Sequence, residues 1–187
     1  MIFVALAALL PYLPLLIKGP VWLFDDLNIV PTARTAANIP SLTGAERWKD
    51  PMSKRLFRTL DHPRGILWQT YDLSAYLGGY SARVWVGMNV AIHVMSSLTF
   101  FYFAGFFLDP EPAIVAGMFY GVHPLGVMAV GLTSGRSSLL CGFVLLLALA
   151  AVVSGHPVLV ALAALIVLRV KQEGLSLIPL LLLLMLL

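Results

Sequence analysis

Charge is scarce in this sequence. Nine acidic and twelve basic residues make up 11% of its 187 positions, where a soluble domain carries roughly twice that fraction. Together with 60% apolar residues and a mean hydropathy of +0.92, that scarcity excludes an ordinary soluble domain and indicates an integral membrane protein. Cysteine is nearly missing as well. Cys141 is the single one, so a disulfide framework within the chain is excluded. Lying inside an apolar run, it reads as a small packing or lipid-facing residue. Also lacking is a basic segment ahead of the first apolar run, residues 1–17, which argues against a secretory signal. Pro11 and Pro14 interrupt that run further, and the expectation is an uncleaved first membrane helix, slightly short for a hydrocarbon core of about 30 Å.

What is present is a series of apolar runs separated by short polar stretches. The polar stretch from residue 19 to about Arg83 is the largest, and it reads as an extramembrane loop. Within it, Thr43 to Glu46 has capping-box spacing and Pro51 stops the short helix begun there. "SKRLFRTL" (Ser53 to Leu60) mixes three cations with Leu56, Phe57 and Leu60. It fits either an amphipathic turn on a headgroup surface or a solvated loop. Val84 to Leu108 reads as the second span, and a third helix runs from about Ala113 toward His123. Leu139 to Val153 is the fourth. Val158 to Val170 and Leu175 to Leu187 have 13 residues each. At that length each covers roughly 20 Å, too little to cross alone. Lys171 and Glu173 between them would then sit in a dip below the surface, where charges are costly and usually functional. The last run has no polar flank, which reads as an unfinished chain.

The expected fold is therefore an all-α integral membrane domain over residues 1–187. It has about six transmembrane helices, the last two short, and one large polar loop containing short amphipathic helices. Residues 1–18 form the first span, 19–83 the loop, and 84–187 the five further membrane helices. With alternating spans, all twelve Lys and Arg fall on one face. The positive-inside rule makes that face cytoplasmic, and such a face must meet lipid phosphates, an anionic ligand or an acidic partner.

Five segments, "FDDLNIV", "RGILWQT", "VGMNVAIHV", "FYGVHPLGVMAVGLTSGRSSLLCGFVLLL" and "KQEGLSLIPLLLLL", occur in the order seen in GT-C membrane glycosyltransferases. From about Phe24 onward the chain resembles the N-terminal half of such an enzyme, closest to the transmembrane and tetratricopeptide-repeat O-mannosyltransferases and their bacterial relatives. The resemblance implies a sugar taken from a polyprenyl-phosphate carrier and transferred on the extracytoplasmic side. It reverses the orientation given by the charge rule, placing the basic loop outside a bacterial inner membrane, where phosphate recognition accounts for the cations. Asp25 and Asp26 then stand where the family has an acidic pair, as general base or as ligands of a divalent cation, Mg or Mn. Arg64, Arg136 and Lys171 fall on family positions for cations that suit a departing lipid phosphate. His123 opens the family's His-Pro motif, Glu173 accompanies Lys171, and Asn89 and His93 fit the polar face of the second helix.

Departures accompany these matches. Gly126 and Met128 replace a His and a Glu after the His-Pro motif, and Ser138 replaces an Asp after Gly-Arg. Arg64 is followed by Gly65-Ile66 instead of Pro-Leu, and Lys171 by Gln172 instead of Glu. Groups able to position a sugar or trade a proton are lost, while the framework of Gly, Pro and apolar residues is kept. Two readings of Asp25 and Asp26 stay open: a helix-boundary pair that caps the next helix, or a catalytic or metal-binding remnant. His93 reads first as a packed residue bonded across helices, and His123 as a helix end. Arg136 and Lys171 need counter-groups, with Asp26 and Glu173 the obvious ones. Trp22, Trp48, Trp68 and Trp85 read as interfacial anchors. The expected function is a non-catalytic accessory subunit of a membrane complex on a degenerate GT-C scaffold; the alternative is the N-terminal portion of an active polyprenyl-phosphate-sugar-dependent glycosyltransferase. Partners expected are membrane lipids, other integral membrane subunits and a polyprenyl-phosphate sugar, with no nucleic acid.

Overall fold

The computed structural model describes residues 1–18, 63–79, 81–171 and position 179. Asp25, Asp26, Glu173, Trp22, Trp48, the amphipathic "SKRLFRTL" and the sixth apolar run lie outside the described residues. Every described element is helical, with no strand among the described residues.

The first apolar run folds as α1 (Ile2–Leu9), a 3-10 turn (Leu10–Tyr12) and α2 (Leu13–Lys18). Pro11 and Pro14 remove two backbone donors, which is why one long helix breaks into three pieces. Next comes α3 (Gly65–Gly78), a helix of 14 residues inside the stretch read as loop. It buries Leu67, Tyr71 and Ala75 at positions i, i+4 and i+8, a single apolar stripe on an otherwise polar segment. Helix α4 (Ala82–Ala104) covers most of the run read as the second span, and α5 (Pro110–Val122) the run read as the third helix. Pro110 opens α5, where a missing N–H costs nothing. Pro124 closes it by forcing the preceding His123 into an extended conformation, φ −64° and ψ 129°. A short α6 (Gly126–Gly131), then α7 (Arg136–Val153) and α8 (Pro157–Leu168) complete the order.

Two of these helices, α4 and α7, are long and apolar enough to cross a membrane; α8 and the first run are apolar but shorter. The two long ones lie side by side and run the same way. Arg136 at the start of α7 meets Asn89 near the start of α4, and the ends of both line one groove. Helix α1 fits against α5 through small residues. A side chain at Gly121 would stand 2.9 Å from the Ala8 Cα, and one at Gly117 would stand 2.7 Å from the Phe101 Cβ and 3.1 Å from Val4. The Gly117-x-x-x-Gly121 spacing therefore lets the backbones approach in the way small residues allow between membrane helices.

The main core joins Tyr12, Tyr71, Trp85, Val86, Val90, Val130 and Leu140, and a second cluster joins α7 and α8 through Val144, Ala148, Ala151, Val160, Ala163 and Val167. Cys141 packs between the two. Trp85 corrects an expectation: instead of anchoring at an interface it is fully buried, its indole N–H donating to the Gly79 carbonyl at 2.9 Å. Outside these cores, Val115, Phe119, Leu125, Met128, Val158, Leu162 and Leu165 stand exposed. Apolar surface that extensive is what a lipid solvent covers.

Candidate functional site

Of the candidate site residues, Arg64, His123, Arg136 and Lys171 are described, and they gather at one end of the bundle. The Ile66 N–H donates to the Arg169 carbonyl at 3.2 Å, so the start of α3, beside Arg64, meets the end of α8. Two residues further on, Lys171 donates its Nζ to the Ser138 hydroxyl at 3.4 Å, tying the same end to the first turn of α7. Ser138 in turn shares a cleft with His123. Asp25, Asp26 and Glu173 lie outside the described residues, so neither the acidic pair nor the expected Asp26 and Glu173 partners enter this geometry. Among the described residues, no three His, Cys, Asp or Glu side chains stand together as metal ligands.

Arg136 is placed differently from the rest. It is 0% exposed, and its guanidinium spends four donations on the protein itself. Nε donates to Asn89 Oδ1 at 2.8 Å, Nη1 to the Thr70 carbonyl at 2.7 Å and to Ser74 Oγ at 2.8 Å, and Nη2 to the Trp85 carbonyl at 2.9 Å. The group also lies over the Tyr71 and Trp85 rings, at 4.8 and 5.6 Å from their centroids. Asn89 completes the arrangement by donating to the Val130 and Leu132 carbonyls, and Tyr71 by donating to the Thr133 carbonyl. A rigid fork with five donors is suited to such a cage. Arg136 thus fastens α3, α4 and the 130–133 segment together, and it faces protein where the sequence reading gave it a lipid phosphate.

The cleft itself has a volume of about 460 Å³, within the range of small-molecule sites. Phe100, Phe119 and Tyr120 form an aromatic wall, Leu125, Ala129, Leu139 and Gly142 complete the apolar lining, and His93, His123 and Ser138 supply the polar groups. Tyr120 stacks on both Phe100 and His93, at centroid distances of 5.1 and 5.9 Å. Phe119 meets His123 edge to face at 5.3 Å. Leu125, 83% exposed, stands at the mouth, so the cleft opens on the apolar outer surface.

Hydrogen bonding fixes the protons on both imidazoles. The Leu125 N–H donates to His123 Nδ1 at 3.3 Å, which leaves Nε2 as the protonated nitrogen and His123 as a donor toward a ligand. His93 Nε2 lies 2.9 Å from the Gly121 carbonyl, an acceptor only, so that nitrogen carries the hydrogen as well. Gly126 has a steric reason to be glycine. A Cβ there would sit 3.0 Å from Tyr12 Oη and 3.2 Å from His93 Cε1. Tyr12 and His93 fill the space that a larger residue at 126 would need.

The aromatic wall has no signature in the sequence. Phe100, Phe119 and Tyr120 look there like any aromatic on an apolar helix, and only their convergence gives them a role. Ser138 is visible as a departure, but its link to Lys171 spans 33 positions and carries no local signal.

Comparison with known proteins gives a limited answer. The chain is 25% identical over 122 residues to protein O-mannosyl-transferase TMTC3 of Homo sapiens, a match covering 64% of this chain and 13% of the relative. The Mus musculus protein of the same name matches to the same extent. No family model matches the chain. No solved structure matches it either. The similarity is to the O-mannosyltransferase branch that the sequence motifs resemble, over only 13% of the relative's length.

Proposed function

We propose that this protein is a non-catalytic, lipid-phosphate-binding subunit of a larger membrane complex, built on a GT-C-like scaffold. One observation carries the reading: His123 and Ser138, with Lys171 bonded to Ser138, edge an aromatic-walled cleft that opens on apolar surface. An ammonium, a hydroxyl and an imidazole N–H suit a phosphate, and the aromatic wall suits the hydrocarbon behind it. Its ligand is a polyprenyl phosphate or the sugar carried on one. Arg64 stands at the same end of the bundle, and this reading assigns Glu173, by its place in the sequence, the role of counter-charge to Lys171. Six spans cross a bacterial inner membrane with the large loop outside, and the exposed apolar faces meet lipid and neighbouring membrane subunits. Gly126 and Ser138, in place of an imidazole and a carboxylate, support binding without transfer.

The match to a protein O-mannosyl-transferase favours a second reading, in which the chain is the N-terminal portion of an active glycosyltransferase. Asp25 or Asp26 would then take the acceptor proton as the sugar carbon is attacked, or hold Mg or Mn. The two readings part on one assay. The full chain in nanodiscs is offered a polyprenyl-phosphate mannose and an acceptor peptide. Under the subunit reading it binds the lipid saturably and transfers no mannose, and Lys171→Gln weakens binding about tenfold, the loss expected for one charged hydrogen bond. Mannose transfer that Asp26→Asn abolishes would establish the enzyme instead.

A further inference from the structure

Helix α4 buries four polar side chains, Asn89, His93, Ser96 and Ser97. Buried polar groups need partners, and three of these are fully engaged. Asn89 receives Arg136 and donates to two carbonyls. Ser96 and Ser97 donate to the Ile92 and His93 carbonyls of their own helix, both at 2.9 Å. His93 differs, because its two nitrogens are treated unequally. Nε2 stands 2.9 Å from the Gly121 carbonyl. A carbonyl only accepts, so Nε2 carries the hydrogen. The ring is 3% exposed, and the cost of burying a charge keeps it neutral. Nδ1 therefore bears a lone pair. Among the described residues no donor reaches that nitrogen, and it is not sealed off from open space. The open space that His93 lines is the cleft. Tyr12 edge-on at 5.4 Å and Tyr120 stacked at 5.9 Å hold the plane of the ring. Gly126 keeps its edge clear, since a Cβ there would stand 3.2 Å from Cε1, the carbon between the two nitrogens.

From this we infer that His93 Nδ1 is a hydrogen-bond acceptor for the ligand of the cleft, which therefore selects a phosphate headgroup that itself carries an O–H. The inference rests on the lipid-phosphate reading and adds a contact at the inner end of the cleft, away from Leu125 at its mouth. His123 Nε2–H and the Lys171 ammonium are donors, and ionised phosphate oxygens satisfy them. A lone pair repels those same oxygens. It needs a hydrogen, supplied by the P–OH of a singly ionised monoester or by an alcohol on a group esterified to the phosphate. A ligand with neither fills the cleft and leaves Nδ1 buried without a donor, which weakens its binding.

Three probes with one tail length read this difference. Dodecyl phosphate carries its O–H on phosphorus, dodecyl 2-hydroxyethyl phosphate carries it on carbon, and dodecyl ethyl phosphate has none. The full chain, labelled with nitrogen-15 at histidine and held in phospholipid nanodiscs, is titrated with each. Nuclear magnetic resonance follows the unprotonated Nδ1 of His93. The expected result is an Nδ1 signal shifted by a probe with an O–H and unmoved by dodecyl ethyl phosphate. The shifting probe should bind about tenfold more tightly than dodecyl ethyl phosphate, the worth of one hydrogen bond. A shift with dodecyl 2-hydroxyethyl phosphate assigns the O–H to carbon, and a shift with dodecyl phosphate assigns it to phosphorus. His93→Phe keeps a ring without an acceptor and should bring the affinities within about twofold. His93→Gln keeps a donor for Gly121 and an acceptor for the ligand, and should retain the preference. If His93→Phe fails to fold, the Nδ1 signal of the unsubstituted protein decides alone. Probes that bind without moving Nδ1, or a preference that survives in His93→Phe, overturn the inference and leave the lipid-phosphate reading standing. If none of the three binds, both fall.

Discussion

Arg136 illustrates how a cation in an apolar chain is accommodated. Burying a guanidinium is costly unless its hydrogen bonds are met, and here four donations end on two carbonyls, a hydroxyl and an amide oxygen. Removing the group leaves those acceptors buried without it. Arg136→Ala is therefore expected to lower unfolding stability in detergent by about 4 kcal/mol, at roughly 1 kcal/mol for each of the four abandoned acceptors. Arg136→Lys should recover only part of that, because an ammonium cannot span a planar fork's partners. Chemical denaturation followed by tryptophan fluorescence measures both, with buried Trp85 as reporter. If Arg136→Ala leaves stability unchanged while lipid-phosphate binding disappears, the inward role assigned to Arg136 is wrong. Lys171 and His123 have the opposite profile: substitution there should spare stability and reduce binding.

At the scale of elements, the contact between α1 and α5 is the most exacting. Gly121→Leu would drive a side chain against the Ala8 backbone, which stands 2.9 Å from the first added carbon. Overpacking of this kind costs about 1–3 kcal/mol when the helices can shift. The expected outcome is a loosened α1, seen as faster maleimide labelling of a cysteine placed at Ala8 in a Cys141→Ser background. Labelling no faster than in the glycine protein would mean that α1 is held elsewhere.

Much of the helical order is legible in the sequence because apolar runs and prolines mark it. Pro110 and Pro124 bracket α5 closely, and Pro157 begins α8. Helix α3 is hidden because Gln69, Thr70, Asp72 and Ser74 make its segment read as polar. Those residues are not all solvated: Ser74 and the Thr70 carbonyl receive Arg136. A polar helix with a buried cation partner looks like a loop until the partner is known. The start of α7 reads three residues late for the same reason, since Arg136 counts as polar in sequence when it belongs to the core. For the candidate site, the His-Pro motif and the cations are visible as residue types, but the aromatic wall depends on helices converging, which no local pattern records.

At the scale of the whole molecule, the long helices α4 and α7 run parallel, and the exposed apolar residues surround them. Parallel neighbours require connections that return across the bundle, and α5 with the 123–135 segment provides one. Under the six-span topology, single cysteines placed at Ser53 and at Gly155 should react with an impermeant thiol reagent from opposite sides of the membrane, Ser53 from outside. Labelling of both from one side would refute that topology.

The lipid-phosphate cleft itself is tested most directly by photo-crosslinking. A polyprenyl phosphate carrying a diazirine on the isoprene unit nearest the phosphate is irradiated with the full chain in nanodiscs, and the adducts are located by peptide mass spectrometry. The account predicts adducts at Phe119, Tyr120 or Leu125, lost in Lys171→Gln. Adducts concentrated instead in the groove of Tyr102, Ala151 and His156 near the other ends of α4 and α7, or unchanged in Lys171→Gln, would contradict it.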